Sequence, residues 1–239
     1  MMDRIRKLLA PWSQPLRRLR RPSLFGMRSV KPLSTEWGFD RGTPVDRYYI
    51  EQFLETHAAD VRGRALEVKS AAYTHRFDRG VTQFDILDVD AHNPDATIVA
   101  DLAVGDGIPR GQFDCFILTQ TLHIIYDYRA AIAQSHSLLK PGGVLLVTVP
   151  LVSRIIPRYG LECDYWRFTA LACARMFGEV FGAENVGVCT YGNVLAGIAF
   201  LRGAVLEELP RRKLDVHDPY FPIVVGVRAT KAPSSPPAR

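Results

Sequence analysis

From residue 64 onward, short apolar runs alternate with stretches in which apolar side chains recur every three or four positions. The runs are RALEV (64–68), FDILDV (84–89), ATIVA (96–100), FDCFIL (113–118) and GVLLVTV (143–149). Several are apolar at successive positions, as a parallel sheet covered by helices on both faces requires. The intervening pieces fit crossover helices, clearest in DYRAAIAQSHSLL (127–139), which Lys140-Pro141-Gly142-Gly143 stops. Ahead of the first strand, Val45, Tyr49, Phe53 and Leu54 recur at helical spacing through VDRYYIEQFLETHAADV. Beyond the fifth strand the pattern predicts a helix from Thr169 to Phe181, a strand in NVGVCTY (185–191), a helix from Val194 to about Glu208 and a last strand in FPIVVGVRA (221–229).

These elements predict one α/β domain over residues 45–230, with an arm over 1–44 ahead of it and a disordered tail over 231–239. Prolines at 11, 15, 22, 32 and 44 deny the arm a continuous helix or strand. Charge divides the same way. Residues 1–31 hold nine Lys or Arg against the single acid Asp3, whereas the rest carries 21 basic and 24 acidic groups. The body therefore has no basic footprint for nucleic acid. The arm is expected either to touch an anionic membrane face or an acidic partner, with Ile5, Leu8 and Leu9 opposite its basic residues, or to be a solvated leader.

Leu8-Leu9-Ala10 is broken at Pro11 and too short for a signal-peptide core, and no apolar run reaches the roughly 20 residues of a membrane span. Cys115, Cys163, Cys173 and Cys189 show no C-x-x-C spacing and lie largely among apolar residues, so they read as reduced thiols, without a metal site, in a cytoplasmic protein. With the arm, that places the protein in the cytoplasm or at the inner membrane face.

In open α/β sheets ligands bind beyond the carboxyl ends of the strands, where strand order reverses. The first strand ends in Leu66-Glu67-Val68 and continues as Lys69-Ser70-Ala71-Ala72-Tyr73, a turn without glycine. The second ends in Asp88 and Asp90, either of which can hold the two hydroxyls of a ribose. The third runs into Asp101-Leu102, which can meet an adenine edge or cap a helix.

FDCFILTQTLHIIYD followed by SLLKPGGVLLVTVP resembles the fourth- and fifth-strand block of class I S-adenosylmethionine-dependent methyltransferases, particularly the type 11-like group. RGTPVDRYYIEQFL, DVDAHNPDATIVADL and DYWRFT (164–169) extend the likeness over roughly residues 40–230 and resemble a bacterial subgroup often encoded beside glycosyltransferases. The resemblance implies a Rossmann-like sheet of seven strands with helices on both faces and the last strand antiparallel. S-adenosylmethionine would lie across the ends of the first, second and fourth strands. Glu67 would sit under its methionine part, Asp88 or Asp90 on the ribose, Asp101 and Leu102 beside adenine, and Thr119 and Gln120 at the reacting centre. Lys69, Ala71 and Tyr73 stand where the family has glycines. Lys69 would then either crowd the sulfonium or pair with the cofactor carboxylate.

For the acceptor, His123 offers a base of ordinary pKa about 6.5, or else packs beside Ile124 and Ile125. Asp164, Tyr165, Trp166 and Arg167 suit a sugar or small acid, with Asp164 a second catalytic candidate. Alternatively the aromatics anchor the loop and Asp164 pairs with Arg167. Arg41, Arg47, Tyr48 and Tyr49 close over the site, or form a helix start capped by Asp46. The expected activity is methyl transfer to a small-molecule or carbohydrate acceptor at oxygen. The competing expectation is a catalytically degenerate scaffold with a basic docking arm. The lack of G-x-G-x-x-G after the first strand argues against a nicotinamide enzyme, and the slightly acidic body and the lack of an Asn-Pro-Pro-Tyr-type clamp argue against a nucleic-acid methylase.

Overall fold

A computed structural model describes residues 29–155 and 162–233. The arm's first 28 residues and the tail beyond residue 233 lie outside the described residues, so the readings placed on them have no structural counterpart.

Seven strands form one sheet: β1 (Gly63–Val68), β2 (Val81–Asp88), β3 (Ile98–Val99), β4 (Phe113–Thr119), β5 (Leu139–Pro150), β6 (Val186–Tyr191) and β7 (Val224–Thr230). Their order is β3-β2-β1-β4-β5-β7-β6. The pairs from β3 through β5 are parallel, and β7 runs antiparallel to both β5 and β6. The seven strands and the antiparallel last strand are those expected. β5 is longer than its apolar run, because Leu139 already pairs with Phe113 and the Pro-Gly-Gly segment is carried inside the strand.

The chain divides into two compact units. The larger comprises Ile50–Tyr191 with Val224–Arg239, the smaller Met1–Tyr49 with Gly192–Ile223. In the larger unit the strands alternate between two apolar clusters, as successive side chains of a strand must. Phe113, Phe116, Leu118, Leu145 and Val147 join helices α3 (Tyr128–Leu138) and α4 (Ala170–Phe181) in one cluster. Cys115, Ile117, Val144 and Leu146 join Phe53 and Leu54 of α1 (Val45–Thr56) and Tyr73 and Phe77 of α2 (Ala72–Phe77) in the other. Gly226 on β7 is required there, since a Cβ would sit 2.6 Å from the Phe53 ring. Asp127 and Thr169 cap α3 and α4 through the amides of Ala130 and Ala172.

In the smaller unit α5 (Val194–Arg202) begins on the Asn193 cap, is followed by α6 (Arg211–Leu214), and ends six residues before the expected stop near Glu208. Gly203 adopts a left-handed φ of 71° and its amide closes on Ala199 and Phe200 carbonyls, which ends the helix. Val205 then bridges to Pro44. Among the described residues no helix is long and apolar enough to cross a membrane. All four cysteines are free; Cys115 and Cys173 are buried, and Cys163, against expectation, is exposed.

Candidate active site

Strand order reverses between β1 and β4, and the site is built from the carboxyl ends around that point. The backbone leaves β1 through Lys69, whose φ of 71° lies in the left-handed region that glycine occupies without cost. The turn therefore keeps a glycine's backbone shape with a lysine in place. Its amide donates to the Leu87 carbonyl at 2.8 Å, and its carbonyl accepts from Asn93 Nδ2 at 2.9 Å. The same Asn93 nitrogen donates to Asp88 Oδ2 at 2.7 Å. Asn93, which sequence reasoning passed over, thus clamps the β1 turn to the end of β2. Its only sequence signal is a polar Asn-Pro pair in the loop after β2. The Lys69 side chain is exposed.

Glu67 turns the other way. Its carboxylate is buried and accepts from the amides of Tyr73 and Thr74, at 3.1 and 2.7 Å, and from Thr74 Oγ1 at 2.8 Å. Both oxygens are committed to the start of α2, so Glu67 fixes the direction in which that helix leaves the turn. Burial raises its pKa, and the hydrogen bonds from Thr74 oppose the shift. Ala71, directly before α2, is buried.

Of the two ribose candidates, Asp88 is the partly buried one, at the last position of β2 and opposite Val99. Asp90 is exposed and accepts from the His92 amide and ring, which hold its pKa down. The Asp101 side chain accepts from the Ala103 amide at 2.7 Å in a local turn that no helix follows, while Leu102 is buried.

At the end of β4, Thr119 faces Thr148 of β5, and Gln120 takes a φ of 45°. Lys69 and Gln120, each directly after one of the two strands flanking the switch point, are thus two of the three described non-glycine residues with positive φ, the third being Trp37. Strained backbone of this kind concentrates at functional sites. The Gln120 amide is held by the Thr148 carbonyl at 2.8 Å.

His123 sits in a single 3-10 turn (Leu122–Ile124) and is buried. Its carbonyl accepts from the amides of Tyr165 and Trp166, at 3.0 and 3.1 Å, which brings the segment 164–167 to the end of β4. Burial pushes its pKa down to about 4, with Asp164 opposing the shift and Arg167 adding to it. The imidazole is therefore neutral near pH 7, and its buried Nδ1 has no hydrogen-bond partner among the described residues.

Asp164 and Arg167 form a two-pronged ion pair, and Arg167 also donates to the Trp166 and Arg154 carbonyls. The carboxylate is almost wholly buried in that pair. These contacts brace the loop from within. The aromatic residues behave differently. Trp166 Nε1 donates to the Ile125 and Tyr126 carbonyls, and its ring packs edge-on to Tyr128 and stacks on Tyr126. Tyr126 and Tyr165 meet edge to face at 5.2 Å and remain 69% and 47% exposed. Tyr126 was missed as a site residue, although it lies in the block HIIYD.

The remaining candidates fall in the smaller unit. Arg41 pairs with Glu208, the Arg47 guanidinium lies 5.6 Å from the Phe39 ring centre, the Tyr48 hydroxyl bonds Asp215, and the Tyr49 hydroxyl donates to the Leu214 carbonyl at 3.0 Å. Among the described residues no cluster of three or more His, Cys, Asp or Glu side chains could hold a metal ion.

Comparison with solved structures gives the same architecture at low identity. NodS, an N-methyltransferase from Bradyrhizobium japonicum solved with S-adenosyl-L-homocysteine, superposes with a TM-score of 0.50 at 13% identity, over 92% of this chain and 97% of its own. A putative sarcosine dimethylglycine methyltransferase from Galdieria sulphuraria gives 0.53 at 14%, over 87% and 95%. The [4+2]-cyclase SpnF gives 0.50 at 16%, over 86% and 88%. No curated protein matches by sequence. The family model of the methyltransferase domain matches residues 12–181, well over half of the sequence. With the seven-stranded sheet of Rossmann-like methyltransferase topology, that match shows that the chain belongs to the methyltransferase-domain family.

Proposed function

We propose that this chain binds S-adenosylmethionine at the carboxyl ends of β1, β2 and β4 and methylates a hydroxyl of a small-molecule or glycan-type acceptor. The observation that carries the reading is the left-handed turn at Lys69: it supplies the backbone shape of the cofactor turn without the glycine, pinned by Asn93 to the acid at the end of β2. When bound, the cofactor supplies an electrophilic methyl group on a sulfonium.

The protein's own part is to orient and desolvate the acceptor. Asp88 accepts the ribose hydroxyls, Leu102 lies against the adenine, and Lys69 pairs with the cofactor carboxylate. The exposed rings of Tyr126 and Tyr165 offer a stacking surface for a sugar or other ring. His123, neutral at physiological pH, accepts the hydrogen bond of the acceptor hydroxyl at its vacant Nδ1. With a pKa of about 4 it orients the hydroxyl more effectively than it removes the proton, because a strong general base needs a pKa near the working pH, and the proton leaves to solvent water as the new C–O bond replaces the O–H bond.

Release of S-adenosylhomocysteine, followed over a panel of hydroxylated ring compounds, tests this reading. Turnover with at least one acceptor, lowered about 100-fold or more by Trp166→Ala, is the expected result. A second reading, a methyltransferase fold retained as a scaffold, is favoured by the same glycine-free turn. No binding of S-adenosylmethionine, and hence no release on any acceptor, would support it.

A further inference from the structure

Helix α5 reads VLAGIAFL from residue 194 to 201 without one polar side chain, a composition that belongs to helices covered on every side. Within the smaller unit only one side is covered. Ala196, Ala199 and Phe200 are buried, whereas Val194, Ile198 and Leu201 are 53%, 38% and 46% exposed. These three lie at positions i, i+4 and i+7, so they form one stripe. Asn193 joins the start of the helix to the segment that follows α6, donating from Nδ2 to the Lys213 and Val216 carbonyls at 2.8 and 2.6 Å. That segment adds exposed Val216, Tyr220 and Phe221, and α6 itself carries the exposed cations Arg211, Arg212 and Lys213. None of the three cations forms an ion pair with a described residue.

We infer that the stripe Val194, Ile198 and Leu201, with Val216, Tyr220 and Phe221 and flanked by Arg211–Lys213, is a docking surface for an anionic lipid bilayer. Apolar and aromatic side chains next to cations match the layered chemistry of a membrane interface, where hydrocarbon lies beneath phosphate.

Charge selects this occupant over a second copy of the chain. The described part of the smaller unit carries seven basic and seven acidic residues, and three of the seven basic ones, Arg211, Arg212 and Lys213, stand together beside the apolar side chains. This local cluster of exposed cations favours an anionic surface and opposes the close approach of a second, identical cluster. The patch is also small, six side chains against the roughly 20 to 30 residues per side of a stable protein interface.

Co-sedimentation of the full chain with phosphatidylcholine vesicles, with and without phosphatidylserine, tests the surface. The chain should pellet only with the anionic vesicles. Ile198→Glu combined with Leu201→Glu should lower partitioning at least tenfold, and each of Arg211→Ala, Arg212→Ala and Lys213→Ala roughly fivefold. The substituted positions are exposed, and an unchanged melting temperature together with unchanged cofactor binding confirms that the variants are folded. Failure of the parent chain to pellet, or pelleting indifferent to the Ile198 and Leu201 changes, overturns the inference. So does a dimer in gel filtration that these changes break, since that result assigns the stripe to a second copy.

Discussion

Lys69 carries the left-handed backbone on which the proposed cofactor site rests. A non-glycine side chain in the left-handed region costs roughly 1–2 kcal/mol, part of which the Asn93 clamp offsets. Lys69→Gly should therefore raise the melting temperature by about 2 °C while weakening S-adenosylmethionine binding about fivefold through the lost charge pair. A scan combined with a titration checks both halves, and unchanged affinity removes Lys69 from the cofactor site. Asn93→Ala should weaken cofactor binding about tenfold, and less so when Lys69 is already glycine, because the clamp and the strain it restrains are coupled.

His123 gives a pH signature. Its pKa falls from the ordinary value to about 4 in the folded chain, so between those values the unfolded chain binds the proton and the folded chain does not. Stability is full above about pH 6.5 and should fall as the pH is lowered toward 4. Urea unfolding across that range should show a flatter profile for His123→Gln than for the parent chain. Equal slopes would place the imidazole in a solvated setting. None of this residue-level detail is legible in the sequence. The glycine-free turn is visible there, but its φ and the Asn93 clamp arise from contacts between segments 24 residues apart.

Among the elements, the strands were legible because their apolar runs are long relative to their turns, as FDCFIL and GVLLVTV illustrate. The helix starts were legible too, at Asp127 and Thr169, where a short polar side chain precedes an apolar stretch. The end of α5 was not. Its apolar pattern continues past Gly203, and only the left-handed cap and the Val205 bridge to Pro44 show that the chain has turned. Division into two units was likewise hidden, since the smaller one joins residues separated by more than 140 positions. At the sheet, Gly226→Ala tests how tightly α1 is seated. The added Cβ would stand 2.6 Å from the Phe53 ring and 3.0 Å from Cys189 Sγ, so about 1–3 kcal/mol of stability should be lost. Thermal melts read this directly, and a neutral result would mean that Phe53 has room to shift.

Over the whole molecule, the family match and the sheet order agree on a methyltransferase domain, while relatives of the same fold include both methyltransferases and a cyclase. The fold alone therefore leaves the reaction to the site. There the sequence named Asp88 or Asp90 at a strand end, Thr119 and Gln120 through the family resemblance, and the segment 164–167, and the structure joins Asn93 to Asp88 and Tyr126 to Tyr165 and Trp166 while committing Glu67 and Asp164 to structural partners. The central claim is that a lysine-bearing turn still receives the cofactor. Isothermal titration of the full chain with S-adenosylmethionine and with S-adenosylhomocysteine measures it directly. Saturable binding of one equivalent of each in the micromolar range is the predicted result, and no detectable heat of binding from either at millimolar concentration would contradict it.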